Sequence, residues 1–118
     1  MEGRKGAESL KQLCLNPGDR VSVTTESGTI YEIDVGDVVN GLLSSRVYRH
    51  PTGPEDNLVL PEMTIEGASV FVAKAPYAGK VALGNRIEII GVDAETQERV
   101  NLRTTPVVAV SHIEEEVS

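Results

Sequence analysis

Apolar and polar residues alternate singly through much of the chain, which is the period of a strand with one face buried. In Arg20-Val21-Ser22-Val23-Thr24-Thr25, the two valines and Thr25 fall on one side and Arg20, Ser22 and Thr24 on the other. From Thr29 to Val35, Tyr31, Ile33 and Val35 share a side, and Glu32 and Asp34 take the opposite one. Glu26-Ser27-Gly28 lies between the two runs, with glycine where a tight connection needs a positive φ. The pair predicts a hairpin.

The pattern continues downstream. Val35-Gly36-Asp37 reads as a turn, and Val38 to Arg49 as a further strand bent at Asn40-Gly41. The stretch from His50 to Asn57 holds two prolines, one glycine and two acids, and reads as a loop. Leu58 to Leu60 and Met63 to Ile65 are short apolar pieces split by Pro61, a residue confined to sheet edges and bulges. Ala68 to Lys74 alternates as a strand, and Ala75 to Gly79 as a loop. Arg86 to Ile90 and Glu98 to Arg103 predict a second hairpin, and Val107 to Val110, after Pro106, a final strand. One segment departs from this period. Leu10, Leu13 and Cys14 stand at i, i+3 and i+4 within Ala7 to Leu15, which predicts a short helix stopped by Asn16-Pro17-Gly18. Cys14 would then be a small buried hydrophobe.

Seven to eight short antiparallel strands and one short N-terminal helix define an all-β expectation: a small β-barrel or sandwich. Residues 1–118 form one domain, with 1–6 and 114–118 as tails. Gly18-Asp19-Arg20-Val21-Ser22-Val23 is echoed by Gly84-Asn85-Arg86-Ile87-Glu88-Ile89. The needs of a turn that feeds a strand account for this echo without a duplication. The stretch Gly18–Val23 also resembles the strand openings of SH3-like small barrels, which implies a barrel and no particular activity.

Composition narrows the function classes. Aromatics are 3% of the 118 residues, with no tryptophan, so the core must be aliphatic and stacking platforms for bases are few. The formal net charge is -7, and Glu114, Glu115 and Glu116 contribute three of the negative charges. This balance weighs against non-specific binding to nucleic acid or anionic lipid. A single cysteine forbids an intramolecular disulfide and fits a reducing compartment. The polar N-terminus and the lack of an apolar run near the roughly 20 residues of a membrane span lead to an expectation of a cytoplasmic, soluble protein.

Searches for chemistry by spacing end without a catalytic or metal-binding constellation, so no enzyme activity and no cofactor are expected. His50 and His112 are far apart in the chain and no cysteine pair exists for zinc. Asp34, Asp37 and Asn40 do not follow the alternating ligand spacing of an EF-hand. Gly79-Lys80 lacks the first glycine of a phosphate loop and the hydroxyl that follows it. The one cluster above background is Arg46-Val47-Tyr48-Arg49-His50. Strand geometry puts Arg46, Tyr48 and His50 on one face and Val47 and Arg49 on the other. Arg46, Tyr48, Arg49 and His50 are the candidate binding residues, with Arg46 able to hold a carboxylate or phosphate. A solvated face whose arginine pairs with a neighbouring acid is the plainer alternative. Arg99, Arg103 and Arg86 read as edge-strand charge that blocks sheet-to-sheet aggregation.

Three functional expectations follow. The first is a non-enzymatic interaction or assembly module with a protein partner or a second copy, in which Val107–Val110 completes a neighbour's sheet. The second is a small-barrel RNA binder using Arg46, Tyr48, Arg49 and His50, against the overall charge. The third is a β-barrel that takes a small ligand in its mouth.

Overall fold

The computed structural model describes residues 12–39, 42–51, 62–72 and 80–113. They form β1 (Gln12–Cys14), β2 (Arg20–Thr25), β3 (Ile30–Val39), β4 (Leu42–His50), β5 (Met63–Val72), β6 (Lys80–Ala82), β7 (Ile87–Asp93), β8 (Arg99–Arg103) and β9 (Val107–His112). All pairings are antiparallel. β1 and β6 make a two-stranded ribbon, and the rest make one sheet in the order β8-β7-β5-β4-β3-β2-β9.

Alternation in the sequence becomes burial in the sheet. β2 and β3 bury Val21, Val23, Thr25, Tyr31, Ile33 and Val35, with half-exposed residues between them. β4 turns Ser45, Val47 and Arg49 to the same inner side, and β7 turns Ile87 and Ile89 there. The ribbon adds Leu15 and Val81 to this core, with Leu13 and Leu83 packed against it. Full burial of a Val or Ile side chain contributes about 1.5–3 kcal/mol, so this side of the sheet holds the fold together.

A flat sheet of seven strands could not cover its own inner side. The register shifts between Val35 and Val38 on β3, between Ser45 and Val47 on β4, between Glu66 and Ser69 on β5, and between Thr24 and Thr25 on β2. Such bulges bend a strand and raise its twist, which curls the sheet over the core. Gly67, at φ +59, supplies the positive φ within the β5 bulge. Gly91 on β7 faces that bulge, and a Cβ there would meet Ile65 Cγ2 at 2.7 Å and the Glu66 carbonyl oxygen at 2.8 Å.

The two glycine turns that echo in sequence are built alike. Gly18 N–H donates to the Val35 carbonyl (2.8 Å) and Val35 N–H to the Asp19 carbonyl (2.9 Å). Gly84 N–H donates to the Val107 carbonyl (2.8 Å) and Val107 N–H to the Asn85 carbonyl (2.9 Å). Both glycines have positive φ, +90 and +83. The strands that precede these turns, β1 and β6, pair with each other through Cys14 and Lys80, which hold equivalent places in the two segments. The echo is therefore a local twofold relation in the backbone and not only a shared taste for turn residues.

Several expectations are corrected. The barrel does not close: β8 and β9 remain separate edges of the large sheet. Thr104 N–H bonds to Ile87 and Val107 N–H to Asn85, so the chain climbs past the start of β7 instead of returning beside β8. No helix occurs among the described residues. Ala7 to Lys11 of the predicted helix lie outside them, and Leu13 and Cys14 belong to β1. Leu13 and Leu15 alternate with Cys14, and pairing with β6 decides a window too short for periodicity to settle. Cys14 is consequently exposed, not buried. Gly36-Asp37 lies inside β3 at a bulge, and the chain reverses between Val39 and Leu42, so the predicted strand from Val38 to Arg49 spans two strands. Glu66-Gly67 does not break β5, which merges two predicted pieces. The predicted tails and most of the loops at 50–57 and 75–79 lie outside the described residues.

Gly91→Ala should destabilise the chain by about 1–3 kcal/mol, the usual cost of overpacking, because backbone as well as side chain stands in the way. Gly84→Ala meets nothing within 4 Å and should lose only the backbone term, about 1 kcal/mol. Urea unfolding of both variants checks this order; equal losses would contradict the close approach at β5.

Candidate functional site

The outer face of β2–β5 carries the sequence candidates in cross-strand rows. Arg20 stands opposite Asp34, and Asp34 opposite Arg46. The ionic contacts follow the same row: Arg20 Nε donates to Asp34 Oδ1 at 2.9 Å, and Arg46 Nη2 to Glu66 Oε2 at 3.1 Å. The next row sets Ser22, Glu32, Tyr48 and Thr64 side by side. His50 lies a step further on, with Nε2 3.7 Å from Glu32 Oε1 and Nδ1 3.4 Å from Glu62 Oε2. On the far side of the sheet, Arg103 Nη2 donates to Glu88 Oε2 at 2.9 Å.

Arg46, Tyr48 and His50 thus share the outer face, and Arg49 does not. The Arg46 pKa is raised, first by a side-chain hydrogen bond with Tyr48, then by the charges of Tyr48 and Glu66. Its guanidinium is therefore already held by a carboxylate from its own chain. Arg46 with Asp34, Gly36, Ser44, Glu66 and Gly67 lines a shallow depression. An incoming anion there would have to displace Glu66. The signs alternate along the row from β2 to β5, so the face is a mixed-charge ladder and not a basic stripe. Exposed pairs such as Arg20–Asp34 contribute at most about 1 kcal/mol each.

Arg49 is 3% exposed and lies on the inner face between Tyr31 on β3 and Met63 on β5. A guanidinium is tolerated in such a place only when other groups engage it, as they do Arg49. It belongs to the core of the sheet and not to a surface that meets a ligand.

His50 looks at first like the centre of a metal site, with two carboxylates in reach. Its two ring nitrogens point in opposite directions, so Glu32 and Glu62 address different sides of the ring and do not converge. No group of three metal-ligating side chains occurs among the described residues.

Sequence reasoning missed the feature that stands out most on the surface. Val38 and Val39, at the end of β3, are 59% and 54% exposed. They pair with Leu43 and Leu42 across the hairpin, and Leu43 is half-buried. The signal was present as Asn-Gly flanked by apolar pairs, a strong hairpin cue, but was read as a bend. Val107–His112 borders the large sheet and pairs with β2 among the described residues, and Val108 on it is 50% exposed. No helix in the described residues is long and apolar enough to cross a membrane.

No protein-family model matches the chain, and no curated protein or solved structure matches it either.

Arg49→Ala should lower stability by about 2–5 kcal/mol, the range for truncating a long buried side chain, whereas Arg46→Ala should leave the urea midpoint nearly unchanged. A reversal of that order would place Arg49 outside the core.

Proposed function

We propose that the chain is a non-enzymatic interaction or assembly module that presents the end of the β3–β4 hairpin to a protein partner. The observation that carries this reading is the pair Val38 and Val39, more than half exposed at the end of the longest hairpin. Exposed aliphatic residues on the two faces of a hairpin end contribute nothing to this chain's own core. They gain free energy when another surface covers them, about 25 cal/mol for each Å² of apolar area removed from water. The bulge at Gly36 supports the reading, because it ends the buried stretch of β3 and re-aims the residues beyond it. A Cβ at Gly36 would collide with the Ser44 carbonyl oxygen, so the two strands approach closely at this point.

The mixed-charge outer face favours a protein over a polyanion. Arg20, Arg46 and Arg103 each carry a carboxylate partner, which would have to be given up to bind phosphates.

The double variant Val38→Ser, Val39→Ser tests the proposal, because it alters only exposed side chains and should leave unfolding nearly unchanged. In cross-linking mass spectrometry of the full chain in an extract of its own cells, the wild type should give links concentrated at residues 36–44. The variant should lose at least tenfold of them. Links that are unchanged in the variant, or spread evenly over the surface, would refute the assignment.

A further inference from the structure

We infer that the depression between the bulges of β3 and β5 binds a small zwitterion, an α-amino acid with a short side chain, whose carboxylate sits on Arg46 and whose ammonium sits on Glu66. The inference goes beyond the reading of the hairpin end as a protein contact and does not depend on it.

The depression is a product of strand register. On β3, Gly36 and Asp37 stand against Ser44 alone, because Val35 pairs with Ser45 and Val38 with Leu43. On β5, Glu66 and Gly67 stand against Arg46 alone, because Ala68 pairs with Ser45 and Ile65 with Val47. The two extra residues fall at nearly the same level of the sheet, one on each side of β4. Each bulge bends its strand and interrupts the ladder beside it. The space that results measures about 480 Å³, a size that takes a small ligand. Gly67 keeps one wall open, since even a Cβ there would meet nothing within 4 Å.

Charge decides what fits. Asp34, Arg46 and Glu66 all line the depression. Arg46 Nη2 donates to Glu66 Oε2 at 3.1 Å, and Asp34 Oδ1 accepts from Arg20 Nε at 2.9 Å. An anion alone that took Arg46 would leave Glu66 without its cation, in a depression that already holds Asp34. It would also approach a chain of net charge -7. A cation alone that took Glu66 would release Arg46 from its carboxylate. A zwitterion replaces both members of the pair at once. Its carboxylate accepts from the guanidinium, whose fork matches two oxygens, and its ammonium donates to Glu66. Every charge in the depression then keeps a partner. The displaced pair is about half exposed, at 53% and 45% of its side chains, and an exposed pair of this kind is cheap to exchange. The remaining lining is small: Ser44 contributes a hydroxyl and Val35 a short aliphatic surface, which suits the side chain of serine or alanine.

Amide chemical shifts of the full chain, followed by NMR during titration with L-serine or L-alanine, test this. At least one of the two should move the amides of Gly36, Ser44 and Gly67 along a saturable curve, with a Kd of about 1 mM or lower. Acetate and methylammonium carry the same two charges on separate molecules, and each should bind at least tenfold more weakly. Arg46→Gln and Glu66→Gln alter exposed side chains, and each should weaken binding at least tenfold with an unchanged urea midpoint. The exchanged pair Arg46→Glu, Glu66→Arg should bind again, because the ligand can turn end for end. Absence of a saturable shift with both amino acids overturns the inference. Acetate that binds as tightly as the amino acids overturns it too, as does binding that survives both glutamine variants.

Discussion

Val21, Ile33, Val47 and Ile65 stand side by side across β2, β3, β4 and β5, each fully buried, and the rest of the molecule depends on keeping that row out of water. With a single buried aromatic, Tyr31, among the described core residues, the interior is filled by many small aliphatic contacts and not by a few large side chains. A core of that kind needs area, and a long sheet provides it. A sheet that buries only one face must then curl, and the curl is supplied by bulges and by glycines placed where strands nearly touch. Gly67 and Gly91 sit on the two sides of one such approach.

The same constraint produces the surfaces available for binding. Curling without closure leaves β8 and β9 as edges, and each is handled differently. β9 keeps a mostly short exposed run with Val108 outward, and its first residue is tied to the Gly84 turn. β8 is lined by arginines, a common protection of sheet edges against unwanted pairing. Such protection is selective, because an arginine repels a basic strand and attracts an acidic one. The hairpin end at Val38–Val39 arises from the same cause, because the bulge at Gly36 carries the end of β3 beyond the reach of the core.

Much of this was legible in the sequence, and the failures have physical causes. Strict alternation in Arg20–Thr25 and Thr29–Val35 located β2 and β3 and their buried sides, since period two maps directly onto the faces of a sheet. The aliphatic core followed from the scarcity of aromatics. Bulges defeated the reading elsewhere. Gly36-Asp37 looks like a turn because a bulge and a turn call on the same residues, and only pairing with a neighbouring strand tells them apart. The helix expected at Ala7–Leu15 rested on three apolar positions, and β6, far away in sequence, settled its last part as a strand. Among the candidate binding residues, strand geometry correctly separated Arg46, Tyr48 and His50 from Arg49. That Glu66 already occupies Arg46 was not readable, because it depends on the register of β4 against β5.

Native-state amide hydrogen exchange, read by NMR on the chain at low concentration, tests the one-sided curled sheet most directly. Amides of β2, β3, β4, β5 and β7 that bond within the sheet should exchange slowest, at rates set by global unfolding. The outward amides of Arg99, Asn101 and Arg103, and those at Val38 and Val39, should exchange orders of magnitude faster. Strong protection of the Arg99, Asn101 and Arg103 amides in a chain of monomer mass would mean that the sheet closes on itself, and would contradict the account.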